Sequence, residues 1–507
     1  MDILQHECGI AGLRLLNGNF PTKIVPMTLE MMRMQSHRGR QGAGIGVLSA
    51  ASGKMTVRRY RGDHPVTGLE EMIATEKPMA GDIAIGHVRY ATNGCEGIGS
   101  VHPFLYTGKC ASDSLLLCGN FHLTAFENAV EPHSLAFSIG RAIEENESVE
   151  QGLASVLKEA DGGFALCGIT GNGTLFAVRD RHGIRPAYYV CTDTFVAIAS
   201  ERPPLAAIAG DGCKVLEIPP GHMLAIDASG EMSLKRILPH GQRRACVFER
   251  IYFSSSEDKE IQSERTALGR ALAPEIERRL GSNAGNVLVT FVPNTARDAW
   301  NGVCESLHLP NIKFAELITK VNPERNFIAA PSTRGAISAQ TFSLCHVDIA
   351  ADVDTIVVID DSIVRGTTLK HAVLPLLQQL RPRRIIVASA TPAVKFPDCY
   401  GIDLPTFSEL IAFRAALRLS VDEKENPQEL YAGVSDEKLN RGIALELAEK
   451  LDGVEVEVVY NTVETLHRTF PRHRGDWYFT GDYPTHGGER FACESFYEAT
   501  EQTISGR

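Results

Sequence analysis

No apolar run in the 507 residues reaches the ~18 positions that a membrane-crossing helix needs. The opening Met1–Leu16 also lacks the charged, apolar and small-residue order of a secretory signal, so the expected setting is cytoplasmic, with no membrane partner. Positive charge is not in excess. The formal net charge is −11, which argues against non-specific binding to nucleic acid. None of the twelve cysteines stands in C-x-x-C spacing, which argues against a zinc ribbon or a disulfide framework. Most of them are expected to be buried, reduced thiols. The remaining composition, 44% hydrophobic and 22% charged, is that of a globular chain long enough for two or three domains.

The most informative stretch is Val357–Thr368, VVIDDSIVRGTT. An apolar strand, Thr355–Ile359, runs into Asp360 and Asp361, then into a loop from Ser362 to Thr368. A helical pattern follows, with Leu369, Val373, Leu376, Leu377 and Leu380 at three- and four-residue spacing, and then a second strand, Ile385–Ala388. A strand-to-helix loop offers backbone N–H groups and a positive dipole end to a phosphate. Gly366 permits close approach of the backbone, and Thr367 and Thr368 add hydroxyls. Paired carboxylates at a strand end can hold ribose hydroxyls or a hydrated Mg²⁺.

Near the N-terminus, Cys8 precedes Gly9 and an apolar strand. If Met1–Glu7 is removed, the freed α-amine of Cys8, with a pKa near ~8, can help deprotonate the thiol. Gln35-Ser36-His37-Arg38-Gly39 follows a helical segment, Met27–Met34, and leads to Gly42-Ala43-Gly44, expected to be a glycine-rich turn. Gly86-His87-Val88-Arg89-Tyr90-Ala91-Thr92 follows the strand Ile83–Ile85, where Arg89 can take an α-carboxylate in bidentate fashion and Thr92 can add a hydroxyl.

The order strand, Asp-Asp, Ser-Ile-Val-Arg-Gly-Thr-Thr, helix resembles the phosphoribosyl pyrophosphate (PRPP) loop of type I phosphoribosyltransferases. The N-terminal motifs resemble an N-terminal-nucleophile (Ntn) glutamine amidotransferase domain. Together they resemble the glutamine PRPP amidotransferase (amidophosphoribosyltransferase) family over nearly the whole chain. Further matches lie at Val178–Pro186, Ala199–Glu201, Glu249–Ser254, Tyr400–Asp403 and Glu409–Ala412.

The resemblance implies an αββα Ntn-hydrolase-type glutaminase domain over 8–240. A type I phosphoribosyltransferase domain with a mainly parallel sheet is implied over 241–470, and a closing segment over 471–507. It implies Cys8 as nucleophile and Gly119 as oxyanion donor, with Arg38, Gly39, Arg89 and Thr92 around glutamine. PRPP would be held by Asp360, Asp361, Ser362, Val364, Arg365, Gly366, Thr367 and Thr368, with Mg²⁺ at Asp360 and Asp361. The sequence agrees in outline: short strands at Leu115–Leu117, Ala165–Ile169, Leu175–Arg179, Phe195–Ala199 and His222–Asp227 are divided by Gly, Asn and Asp turns, with a hairpin turn at Ala228–Gly230. In the second domain, helix Ser263–Leu280 and strand Val287–Val292 lead to the turn Pro293-Asn294-Thr295. That turn corresponds to a pyrophosphate-holding one, uncharged here because Asn294 replaces the usual aspartate.

Leu317–Ile328 aligns with a loop that the family closes over PRPP; the family's Lys-Asn-Arg-Tyr run is not reproduced, though Lys320 and Arg325 remain available, and a solvated polar loop is the other reading. Trp477–Pro484 resembles the family's closing segment, and the polar tail beyond it is expected to be poorly ordered. Cys399 stands where some members carry a cluster ligand, but the later cysteine pair is missing, so no iron–sulfur cluster is expected. Family members assemble as homo-oligomers under inhibition by purine nucleotides.

Two departures bear on glutamine hydrolysis. Where the family has Asn-Gly-Asn, this chain has Cys118-Gly119-Asn120, and a thiol is a poor donor. Where the family has an aspartate for the glutamine α-ammonium, this chain has His133. Two readings stay open. One is a glutamine-dependent enzyme that makes 5-phosphoribosylamine, the first step of purine synthesis. The other is a diverged paralogue with an impaired glutaminase half, using ammonia or only sensing PRPP and nucleotides.

Overall fold

A computed structural model describes residues 8–16, 21–49, 52–76, 78–90, 97–125, 132–146, 148–210, 212–281, 285–321, 342–346, 348, 352–402, 404, 406–423, 431 and 433–505. Its first half contains β1 (Gly9–Leu15), β2 (Gly42–Ser49), β3 (Lys54–Tyr60), β4 (Ile83–Arg89), β5 (Phe104–Tyr106) and β6 (Leu115–Ala125). These are followed by β7 (Asp161–Thr170), β8 (Leu175–Arg179), β9 (Tyr188–Cys191), β10 (Phe195–Ala199), β11 (Leu216–Glu217), β12 (His222–Ile226) and β13 (Met232–Arg236). They form two sheets, ordered β11-β9-β10-β1-β4-β2-β3 and β13-β12-β8-β7-β6-β5, with antiparallel pairing throughout.

Side chains alternate along each strand, so both faces of both sheets need cover. Between the sheets lie Ile10, Ile85, Leu116, Cys118, Cys167 and Ile198. Helices α1 (Ile24–Met34), α2 (Pro65–Thr75) and α5 (Arg202–Ala209) cover the outer face of the first sheet, with Leu29, Met32, Leu69 and Leu205 in the contact. Helices α3 (Pro132–Glu145) and α4 (Val149–Leu157) cover the second, through Leu135, Ile139 and Leu153. Three apolar layers of this kind require four layers of secondary structure, the αββα arrangement.

Gly42-Ala43-Gly44 is not a turn but the start of β2. Its glycines serve sheet packing: a Cβ at Gly44 would lie 2.0 Å from the His102 carbonyl oxygen, and one at Gly46 would lie 3.0 Å from Leu116.

The second half is an α/β unit. Helices α6 (Lys259–Leu280) and α7 (Arg297–Ser306) accompany β14 (Val287–Phe291), β15 (Ile312–Phe314), β16 (Ile318–Lys320), β17 (Phe342–Leu344), β18 (Thr355–Asp360), β19 (Arg384–Ser389) and β20 (Glu455–Tyr460). Strands β15-β14-β18-β19-β20 form one sheet with every pair parallel, and β16 pairs antiparallel with β17. The central strands are apolar on both faces, as expected for a sheet covered on both sides.

The tail is ordered. Trp477, Tyr478 and Phe479 are buried in the core of the second unit, and His486–Ser505 is a helix. Phe491, Ala492 and Phe496 anchor it against that core, and the Asp161 carboxylate accepts the Gly487 N–H at 2.9 Å. A polar composition concealed this amphipathic face.

Candidate functional site

The order of the parallel sheet fixes where a ligand can sit. From β14 the chain steps outward to β15, whereas from β18 it steps the other way, through β19 to β20. The crevice beyond the carboxyl ends of β14 and β18 is therefore the topological switch point, the usual ligand position in open α/β sheets. Asp360 ends β18, and Thr295 lies in the turn after β14. The Thr295 hydroxyl donates to Asp361 across that crevice, and the Ser362 hydroxyl donates to the other Asp361 oxygen at 3.0 Å. The Asp361 N–H donates to Asp360 Oδ1 at 2.9 Å. Burial raises the Asp361 carboxyl above its ordinary range, against the pull of Thr295, Ser362 and Arg265.

Gly366 has φ +73°, and a Cβ there would lie 2.4 Å from Ile411 Cδ1. The turn therefore needs glycine both for its left-handed backbone and for space. Val364 is buried, and its carbonyl accepts the Ile411 N–H at 2.9 Å. Arg365 turns sideways onto Glu409, with Nη2 at 2.7 Å. Helical structure begins at Thr367 and Thr368, then widens into a π turn over Leu369–Val373 before Leu374–Gln378. Pro375 accounts for the irregularity, since it lacks an N–H and crowds the carbonyl four residues back.

Lys320 feels both Asp360 and Asp361. Of the expected closing loop, only its stem is described: β16 carries Lys320, whereas 322–328, with Arg325, lies outside the described residues. Tyr252 also faces this site, its hydroxyl raised by burial and by Asp361 and Asp360.

The second cluster lies at one end of the antiparallel sandwich. Gly9 pairs with Val88 and Ile10 with His87, which sets Cys8 beside the end of β4. Cys8 Sγ accepts the Tyr90 N–H at 3.5 Å and lies 3.6 Å from the Tyr90 carbonyl. Burial pushes the thiol up; the Tyr90 backbone, Arg89 and Arg38 pull it down without reversing the shift. A thiol in that state needs a base before it can attack. Met1–Glu7 and Thr92 lie outside the described residues.

Arg38 departs from its expected role. Its fully enclosed guanidinium donates to Glu201 and to Glu249, so it ties the two halves together rather than facing a substrate carboxylate. Gly39 lets this loop lie on β4: a Cβ there would fall 2.5 Å from the Arg89 nitrogen. Arg89 itself is buried, within electrostatic reach of Cys8, His87 and His102.

Around Gly119 the structure adds two histidines, neither of them marked out by its neighbours in the chain. His87 Nε2 donates to the Gly119 carbonyl at 3.2 Å, and the Gly119 N–H donates to His102 Nδ1 at 3.1 Å. The two rings stack with centroids 4.1 Å apart. Burial holds both neutral, His87 lowered to about 3 and His102 well below its usual value. Cys118 directs its thiol to the Gly86 carbonyl at 3.6 Å. His133 is exposed at the start of α3, with its ring edge-on to Phe104 at 5.6 Å.

Comparison with known proteins gives one consistent picture. A glutamine amidotransferase domain model matches residues 138–207. An amidophosphoribosyltransferase of Staphylococcus epidermidis is 28% identical over 502 residues, covering 95% of this chain and 91% of the relative. That of Staphylococcus aureus (strain COL) is 28% identical over 81% of each chain. Among solved structures, the allosteric regulatory enzyme of purine biosynthesis superposes with a TM-score of 0.73 at 26% identity, covering 94% of this chain and 96% of that one. The Bacillus subtilis glutamine PRPP amidotransferase in complex with ADP and GMP gives 0.72 at 25% identity, covering 94% and 98%.

Proposed function

We infer that this chain, related to the amidophosphoribosyltransferases along nearly its whole length, is itself an amidophosphoribosyltransferase that converts glutamine, PRPP and water to 5-phosphoribosylamine, glutamate and pyrophosphate. The observation that carries the reading is the pairing, in one chain, of a Cys8-bearing αββα sandwich with an Asp360-Asp361 loop at the switch point of a parallel sheet.

In this reading Cys8 attacks the glutamine amide carbon. Its proton passes through the Cys8 α-amine, freed by removal of Met1–Glu7, to the leaving nitrogen. Arg89 and Thr92 hold the glutamine carboxylate, and water hydrolyses the thioester to glutamate. Ammonia then displaces pyrophosphate from C1 of PRPP.

Ser362, Val364, Gly366, Thr367 and Thr368 offer the phosphate loop, while Asp360 and Asp361 face the ribose. Two adjacent carboxylates suit a hard cation, but both Asp361 oxygens already accept hydroxyl protons. Among the described residues no cluster of three or more His, Cys, Asp or Glu could enclose a metal. These donors therefore fit a Mg²⁺ carried largely by the substrate's own phosphate oxygens and water, where it would neutralise charge on the departing pyrophosphate. Asp360 and Asp361 would hold it. We take the chain to be a homo-oligomer inhibited by purine nucleotides; the ADP and GMP bound to the Bacillus subtilis relative support the nucleotide binding.

Replacing Cys8 by Ala tests the division of labour. Glutamine-driven pyrophosphate release should fall by ~10³-fold or more, while ammonium chloride still drives the reaction. Equal loss with both nitrogen sources would overturn the assignment of Cys8 to glutamine alone.

A further inference from the structure

The sandwich end poses a chemical question that the proposed reaction must answer. Attack of the Cys8 sulfur on a carboxamide moves the carbonyl π pair onto oxygen, and that oxyanion needs hydrogen-bond donors. At positions 118 and 119 both candidate donors are engaged. The Cys118 thiol is directed at the Gly86 carbonyl, and the Gly119 N–H is bound by His102 Nδ1. His102 is held there by stacking on His87, and its ring lies 4.6 Å from that of Phe104.

One donor at this end has no partner among the described residues: Nδ2 of Asn120, a side chain 4% exposed. Asn120 lies two residues beyond Cys118 on β6, so the two share the face turned towards β1 and β4. Its cross-strand neighbour Ala165 belongs to the inter-sheet core with Ile10 and Ile85. Strand β6 passes Gly46 at Leu116, Gly86 at Cys118 and His87 at Gly119, so Asn120 is carried towards the end where Cys8 and Arg89 lie. The same end offers a lone acceptor. His87 Nε2 donates to a carbonyl, which leaves Nδ1 unprotonated, and Nδ1 too has no partner among the described residues. A buried N–H donor near a buried nitrogen acceptor is the complement of a carboxamide.

We propose that Asn120 Nδ2 is the oxyanion donor of this chain, taking over from the residue at 118 and from the Gly119 N–H. The proposal rests on the glutaminase reading of Cys8. As sulfur bonds to carbon, the amide oxygen gains a full pair and meets Asn120 Nδ2–H. When that pair returns, the C–N bond breaks and the nitrogen leaves as ammonia with the proton taken from the thiol.

Asn120→Asp keeps shape and removes the donor, and Asn120→Ala removes the group. The full chain is assayed for glutamine hydrolysis, with ammonia-driven pyrophosphate release as the check that each preparation is folded. The expected result is a fall of ~10²–10³ in kcat with little change in KM, since the contact is made in the transition state. Adding His102→Ala to Asn120→Ala returns the Gly119 N–H to the site and should recover ~10-fold of that loss, which a structural role for Asn120 would not give. Full glutaminase activity in both single variants overturns the proposal and leaves the Cys8 reading standing. A wild-type chain that turns over ammonia but never glutamine overturns both.

Discussion

Replacing Arg38 by Met is the most demanding perturbation of this architecture. The guanidinium is fully buried between Glu201 and Glu249, which are 2% and 3% exposed. Removing it strands two buried carboxylates, and breaking such a pair from one side costs about 3–5 kcal/mol. The pKa of the Glu201 carboxyl shows how firmly its charge is held. Burial pushes it up, but His37, Arg38 and the Ser255 N–H outweigh burial and bring it from 4.5 to about 2. That gap, which His37, Arg38 and the Ser255 N–H share, corresponds to roughly 3 kcal/mol. The folded pKa is depressed, so this stabilisation is complete above pH 4.5 and is lost as pH falls towards 2. Urea unfolding at pH 7 should show Arg38→Met weakened by about 3–5 kcal/mol, with the deficit shrinking as the stranded carboxylates protonate in acid. A variant within about 1 kcal/mol of wild type at pH 7 would refute the reasoning, as would a deficit that grows in acid.

Three further outcomes follow from the same geometry. Asp361→Asn removes charge where Thr295 and Ser362 converge, and should lower PRPP-dependent turnover by ~10²-fold without changing glutamine hydrolysis; unchanged turnover would remove Asp361 from the site. Gly366→Ala faces both the positive φ and Ile411, and should raise the KM for PRPP and cost about 1–2 kcal/mol of stability, measured by steady-state kinetics and urea unfolding. Because burial holds His87 at about 3 and His102 below its usual value, neither should titrate in the pH profile of glutamine hydrolysis between 5 and 9; His102→Gln should leave any limb in that window in place.

The order strand, Asp-Asp, loop, helix from Thr355 to Gln378 was readable because it is contiguous in the chain, whereas the contacts that Val364, Arg365 and Gly366 make with Ile411 and Glu409 were not. Arg38 was read as a substrate contact because its partners Glu201 and Glu249 lie 163 and 211 positions away, and nothing local announces them. Gly42-Ala43-Gly44 looked like a turn because its purpose, the close approach of the His102 carbonyl to Gly44, appears only after both sheets form. His102 was missed for a similar reason. Its partner is the N–H of Gly119 on the next strand, beyond the point where β5 stops pairing with β6. The tail helix was hidden by scattered polar residues around a narrow aromatic stripe.

The central claim is tested most directly by PRPP-dependent pyrophosphate release in Mg²⁺, run in parallel with glutamine and with ammonium chloride. The account predicts release with both, and with glutamine one glutamate formed per pyrophosphate. Release with neither nitrogen source, from a chain that still binds PRPP, would contradict it.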